Sequence, residues 1–317
     1  MKTLIKVIVS ILLLAVAIYL LDWDALKNLV LRVNLWIFFL GILITFSTFI
    51  ILGIRWHLLL RKIGAPKPLE NIKHYLYATF LNSFSPANVG GDIYRFFTLK
   101  NKTPDKLVLV VVLLKERVLG ILSFFLGYLL FIVGLGLARA ESLIDSHGIF
   151  LYSGGAVFLA TALLFVFPQV IGKLLKWKWI RERDRLHKGI LRLHDALKFD
   201  SMVTFAKLIG LSFGALFLWI LTAQLMAFDL GIQIPYLQLG AVVILVELIR
   251  LIPITIQGLG LREGVYAYLF QMLGKSPEDG FVLGTVAYLA LSISLLLSGL
   301  IGITSRADLK RKRHDLK

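Results

Sequence analysis

Apolar residues fall in long runs separated by short polar stretches, and the runs are sized for a bilayer. A helix needs about 20 apolar residues to cross the hydrocarbon core. Six segments meet that length, at approximately 4 to 21, 35 to 54, 107 to 137, 149 to 168, 203 to 229 and 281 to 303. Two further apolar stretches, 71 to 99 and 237 to 273, are interrupted in the middle by Pro and Gly. Each reads as a broken, re-entrant helical hairpin rather than one span. The first run follows Lys2 and Lys6 like a secretory signal, but its small-x-small site, Ala15-Val16-Ala17, lies inside the apolar run, so an uncleaved span is expected. The fold class that follows is an all-α integral membrane protein, a single membrane domain over 1–317 with six transmembrane helices and two opposed hairpins.

Composition agrees with lipid as the main solvent: the 317 residues are 58% hydrophobic and 17% charged, and mean hydropathy is +0.83. A formal net charge of +16 would fit nucleic acid, but the cations lie between apolar runs and near the C-terminus. That distribution is the topological one, and nucleic-acid binding is not expected. With no cysteine, disulfides, thiolate metal sites and Cys nucleophiles are excluded. Lys- and Arg-rich short loops stay cytoplasmic. The clusters at Arg55, Arg61, Lys62, Lys67 and Lys73, at Lys100, Lys102 and Lys106, at 173 to 192, and at Arg306 to Arg313 all fall on one side, provided both broken segments are re-entrant. Both termini are then cytoplasmic, in a multi-pass protein of the cell inner membrane. The segment 172–198 mixes Leu, Ile and Trp with basic residues and reads as an amphipathic helix on anionic lipid, or as a plain linker helix.

The two breaks share a spacing. Pro86 is followed by Gly91 and Arg95, and Pro253 by Gly258 and Arg262, at the same intervals. This predicts a duplication: a first repeat over 35–137 carrying the hairpin 71–99, and a second over 203–303 carrying the hairpin 237–273, entering from the opposite side. Inverted units with broken helices at mid-membrane are the architecture of many secondary transporters.

Past the glycines each second half-helix starts near the membrane centre, where a helix N-terminus attracts anions. Arg95 and Arg262 add bidentate donors suited to phosphate, with Asn82, Ser83, Ser85, Asn88, Thr255 and Gln257 as polar lining. Plainer roles stay open. Asp92 and Glu263 serve as helix-end groups in one reading, and Gly90, Gly91, Gly258 and Gly260 as packing positions. Glu116 and Arg117 lie in the third span, and Glu247 and Arg250 at i, i+3 before the second tip. A carboxylate at that depth either carries a coupling proton or is a counter-ion for Arg95 or Arg262. His57, His74 and His147 have no second ligand at metal spacing, His187 and His194 share a helix face without a carboxylate pattern near by and read as solvated, and there is no Walker, Rossmann or Ser-His-Asp pattern, so no metal, no cofactor and no enzymatic activity are expected.

Three motifs, SPANVGGDIYR at 85–95, KER at 115–117 and IPITIQGLGLREG at 252–264, resemble the flippase-like family named after the transmembrane region of lysylphosphatidylglycerol synthase, also called UPF0104. The resemblance implies movement of modified or lipid-linked headgroups, sometimes beside a lipid-modifying transferase. It implies functional roles for Gly91, Arg95, Glu116, Arg117, Gly258, Gly260, Arg262 and Glu263. About fourteen polar residues follow the last span, too few for a lysyl-transferase domain. The expected function is therefore flipping of a phosphate-bearing lipid or lipid-linked sugar. The competing readings are an enzyme acting on a lipid phosphate and a non-transporting partner of a separate transferase. The pattern specifies no oligomeric state.

Overall fold

The structure is a computed structural model that describes residues 31–61, 67–85, 88–100, 105–137, 167–175, 183–199, 201–250 and 257–314, with a few isolated positions besides. The expected first span, 4 to 21, and nearly all of the fourth, 149 to 168, lie outside the described residues, as do Pro86 and Pro253.

Among the described residues the regular structure is helical: α1 (Leu35–Leu60), α2 (Pro68–Ser83), α3 (Gly90–Leu99), α4 (Lys106–Leu137), α5 (Phe167–Leu174), α6 (Asp184–Leu197), α7 (Met202–Asp229), α8 (Tyr236–Arg250), α9 (Leu261–Met272) and α10 (Pro277–His314). Four of them, α1, α4, α7 and α10, are long and apolar enough to cross a membrane. Their outer faces carry exposed Trp36, Phe39, Leu114, Leu130, Leu296 and Leu300, side chains that only lipid solvates well. Asn34 caps α1 through the Trp36 N–H at 2.9 Å, and Ser201 caps α7 through the Thr204 N–H at 3.1 Å.

Both broken segments are helix pairs, α2 with α3 and α8 with α9. The element order is therefore long, short, short, long twice over: α1 to α4, then α7 to α10. Helix α1 packs on α7, α2 on α10 and α4 on α8, a set of contacts that maps onto itself when the two groups are exchanged. Along the α1–α7 seam, Gly41 faces Met226, Thr45 bonds Thr222 at 3.4 Å and Arg55 bonds Ser212 at 2.7 Å, so the two helices run antiparallel. The step along the chain that carries Gly91 to Gly258 and Arg95 to Arg262 also carries Thr45 to Ser212 and Arg55 to Thr222. The Thr45–Thr222 and Arg55–Ser212 hydrogen bonds are thus counterparts of each other.

The largest core surrounds α8, whose Ala241 to Ile244 are fully buried against α4, α7, α9 and α10. Protein thus covers most of this helix of 15 residues, which is too short to cross a bilayer alone. One sequence expectation is corrected. Arg55, counted with the cytoplasmic loop, lies inside α1, which runs on to Leu60, and is buried.

Candidate functional site

The first tip is a tight turn between antiparallel helices. At Gly91 a Cβ would sit 2.1 Å from the Ala78 carbonyl oxygen, so only glycine lets α3 approach α2 this closely. The Gly90 N–H donates to Ser85 Oγ and the Gly91 N–H to Asn82 Oδ1, both at 2.7 Å. Two of the helix-end donors expected to face an anion are thus engaged by the chain's own side chains. Asn88 takes a left-handed φ of 53° to make the turn.

Charge gathers on one side of this tip. Arg95, 4% exposed, donates through Nη1 to Glu116 Oε2 and through Nη2 to Asp92 Oδ1. Its guanidinium lies 4.3 Å from the centre of the buried Trp56 ring. Arg55 reaches the other Glu116 oxygen at 3.6 Å. Arg117 donates through Nε to Asp92 Oδ2 at 2.6 Å and through Nη2 to the Asn88 carbonyl at 2.7 Å. Three arginines thus meet two carboxylates, leaving one net positive charge. Arg117, with 41% of its side chain exposed, is the cation through which the cluster meets its surroundings. Beside it, Val89 at the N-cap of α3 and Ile93 and Phe97 within that helix form an exposed apolar row at four-residue spacing. Asp92 is an ion-pair partner here.

The KER residues divide their work. Glu116 and Arg117 serve the tip, while the buried Lys115 donates to the carbonyls of Ala196 at 3.2 Å and Lys198 at 3.0 Å. Its Nζ lies over the Phe199 ring at 4.1 Å. A cation at the C-terminal end of α6 complements the carbonyls there and clasps the amphipathic helix to α4.

The second tip is built on glycine conformation. Gly258 and Gly260 have φ of 81° and 78°, and Gln257 has 56°. Glu263, 1% exposed, accepts the Gly260 N–H at 2.7 Å and so caps α9. Glu247 pairs with Arg250 one turn on, and Arg250 reaches Gln257 Oε1 at 3.4 Å. Arg262, 4% exposed, lies 4.1 Å over the Tyr288 ring and 3.9 Å from Glu263 Oε1. Its Nε and Nη2 have no hydrogen-bond partner among the described residues. Arg262 and Glu247 line a cavity of about 20 Å³, together with Thr45, Thr222, Trp219 and Tyr266. That is room for a water molecule and too little for a phosphate.

The sequence expects one headgroup held between the tips. The first cluster meets α1 at Arg55 and the second cavity meets it at Thr45. Ten residues of helix separate these, about 15 Å. The tips thus form two stations along the α1–α7 seam. Arg55, Trp56, Thr45, Thr222 and Tyr288 join the sites although no motif marks them. Among the described residues no group of three or more His, Cys, Asp or Glu is placed to hold a metal.

Four helices long and apolar enough to cross a membrane, beside two charged, glycine-broken helix pairs, are those of a multi-pass membrane protein. The chain belongs to the family described as the lysylphosphatidylglycerol synthase TM region, whose model matches residues 3–302. It is similar to a UPF0104 membrane protein of Methanocaldococcus jannaschii, 25% identical over 244 residues that cover 74% of this chain and 99% of that one. No solved structure matches it.

Proposed function

We propose that this protein moves a phosphate-bearing lipid or lipid-linked sugar between leaflets of the cell inner membrane, leaving the lipid chemically unchanged. The observation that carries the reading is the pair Arg95 and Arg262, each buried to 4% exposure and each just past a glycine-broken tip. A buried arginine at such depth costs about 2.5 to 3.5 kcal/mol on insertion scales, a cost unlike that of a lipid-facing residue. The two groups of four helices are read as an inverted duplication, whose exchange of conformations gives alternating access. The α2–α3 hairpin is re-entrant from the cytoplasm and α8–α9 from outside, with both termini cytoplasmic.

The headgroup enters at the first tip. Arg117 and the net positive charge receive the phosphate, while the apolar row on α3 lies along an acyl chain. Passage to the second station follows the α1–α7 seam. The family name, with its reference to a lipid-modifying synthase, supports a lipid as cargo.

Reconstitution into phosphatidylcholine vesicles containing tail-labelled phosphatidylglycerol tests this. Leaflet transfer of intact lipid is expected, and Arg95→Gln and Arg262→Gln should each abolish it while the protein still folds. Appearance of a new lipid species would point to catalysis instead. Wild-type transfer in both variants would remove the phosphate-handling role of the tips.

A further inference from the structure

The two tips differ by one charge, and the difference lies at a residue that borders a cavity. At the first tip Arg55, Arg95 and Arg117 outnumber Asp92 and Glu116 by one. At the second, Arg250 and Arg262 are balanced by Glu247 and Glu263. A neutral cluster in a low-dielectric interior is a poor host for an anion, because the added charge finds no net compensation. Adding one proton to the second tip gives it the same single positive charge as the first.

The geometry says which carboxylate takes that proton. Glu263 and Glu247 are both buried, but Glu263 is committed to the Gly260 N–H as the cap of α9. Glu116 is held by two buried arginines. Glu247 has a single arginine partner, Arg250, and lines the cavity that Arg262 also lines. Arg262, whose Nε and Nη2 have no hydrogen-bond partner among the described residues, lines the same cavity, so a water molecule there would lie between a donor residue and a carboxylate. The charged and titratable groups around Glu247 are Arg250 on its own helix, Arg262, Glu263 and Tyr266 on α9, and Tyr288 on α10. From α1 and α7 the cavity meets Thr45, Thr222 and Trp219, none of which titrates.

We infer that Glu247 is a protonation site coupled to cargo: a proton on Glu247 makes the second tip positive, and the phosphate-bearing headgroup is received beside that tip, outside the water-sized cavity, only while the proton is in place. The inference rests on the transport reading and names its coupling ion. One proton travels with each singly charged phosphodiester, bound on Glu247 from one side and released to the other, so the pair crosses without net charge.

The test uses the full chain in phosphatidylcholine vesicles with tail-labelled phosphatidylglycerol, a pH gradient imposed across the membrane, and protein-free vesicles as the control. With one proton per lipid, a gradient of one pH unit should hold up to about tenfold more labelled lipid in the leaflet facing the alkaline side. A protonophore should collapse the asymmetry. Glu247→Gln should lose the effect of the gradient, whereas an asymmetry that survives in Glu247→Gln and vanishes in Glu116→Gln would overturn the assignment. The wild-type measurement needs no variant to fold: transfer that merely equalises the leaflets under a gradient overturns the coupling while the transport reading stands. Absence of any transfer removes the transport reading, and the coupling with it.

Discussion

Replacing Glu116 with Gln isolates the electrostatics of the first tip, because the side chain keeps its size and loses only its charge. Glu116 is 4% exposed and faces Arg95 and Arg55 with its two oxygens. The substitution leaves three arginines with one carboxylate, Asp92, and turns an amide N–H group toward a guanidinium. Breaking a buried pair by neutralising one partner costs about 3 to 5 kcal/mol. For a chain of this length about 2 °C of midpoint corresponds to each kcal/mol, so the loss should be about 6 to 10 °C. Thermal unfolding in detergent, followed by tryptophan fluorescence, measures it, and Trp56 beneath Arg95 places a reporter at the site. Adding Arg55→Gln removes the surplus cation while Arg95 keeps Asp92. The double variant should recover at least half of the loss. A midpoint within 1 °C of wild type for Glu116→Gln, or losses that simply add in the double variant, would refute the assignment of stability to this charge balance.

Other outcomes follow from particular contacts. Gly91→Ala places a methyl against the Ala78 carbonyl, a backbone atom that cannot rotate aside, so the α2–α3 hairpin should lose about 1 to 3 kcal/mol or more, read as a lowered unfolding midpoint. Lys115→Met removes two hydrogen bonds to carbonyls, and hydrogen exchange in α6 should rise by an amount equivalent to about 1 to 3 kcal/mol, with the α2–α3 tip unchanged. In a chain without native cysteine, Cys at Thr45 and Thr222 should crosslink under mild oxidation, whereas Cys at Thr45 and Ser212 should not; the reverse would contradict the antiparallel seam. Cysteines at Ser85 and Thr255 should label from opposite faces of the membrane; labelling from one face would remove the inverted duplication.

Much of this was legible in the residue pattern. Apolar run length located α1, α4, α7 and α10 because transfer into lipid is a property of composition alone. The paired spacing from Gly91 to Arg95 and Gly258 to Arg262 marked both helix breaks, since a break between closely packed helices calls for glycine and polar partners near by. The ion pair of Glu247 with Arg250 could be read from their i, i+3 spacing on one helix.

Partnership across helices was not legible. That Arg55 belongs to the Glu116 cluster, that Trp56 lies under Arg95, and that Ser212 holds Arg55 depend on how α1 packs against α3, α4 and α7. No local spacing encodes such a contact. Nor does the sequence distinguish the tips, for both carry a glycine and an arginine at matched positions. The structure surrounds one arginine with two carboxylates and leaves the other beside a water-sized cavity. Solvation preference is written residue by residue and sets where the chain crosses the bilayer. Charge balance at a buried point is a sum over distant segments, and only their packing decides it.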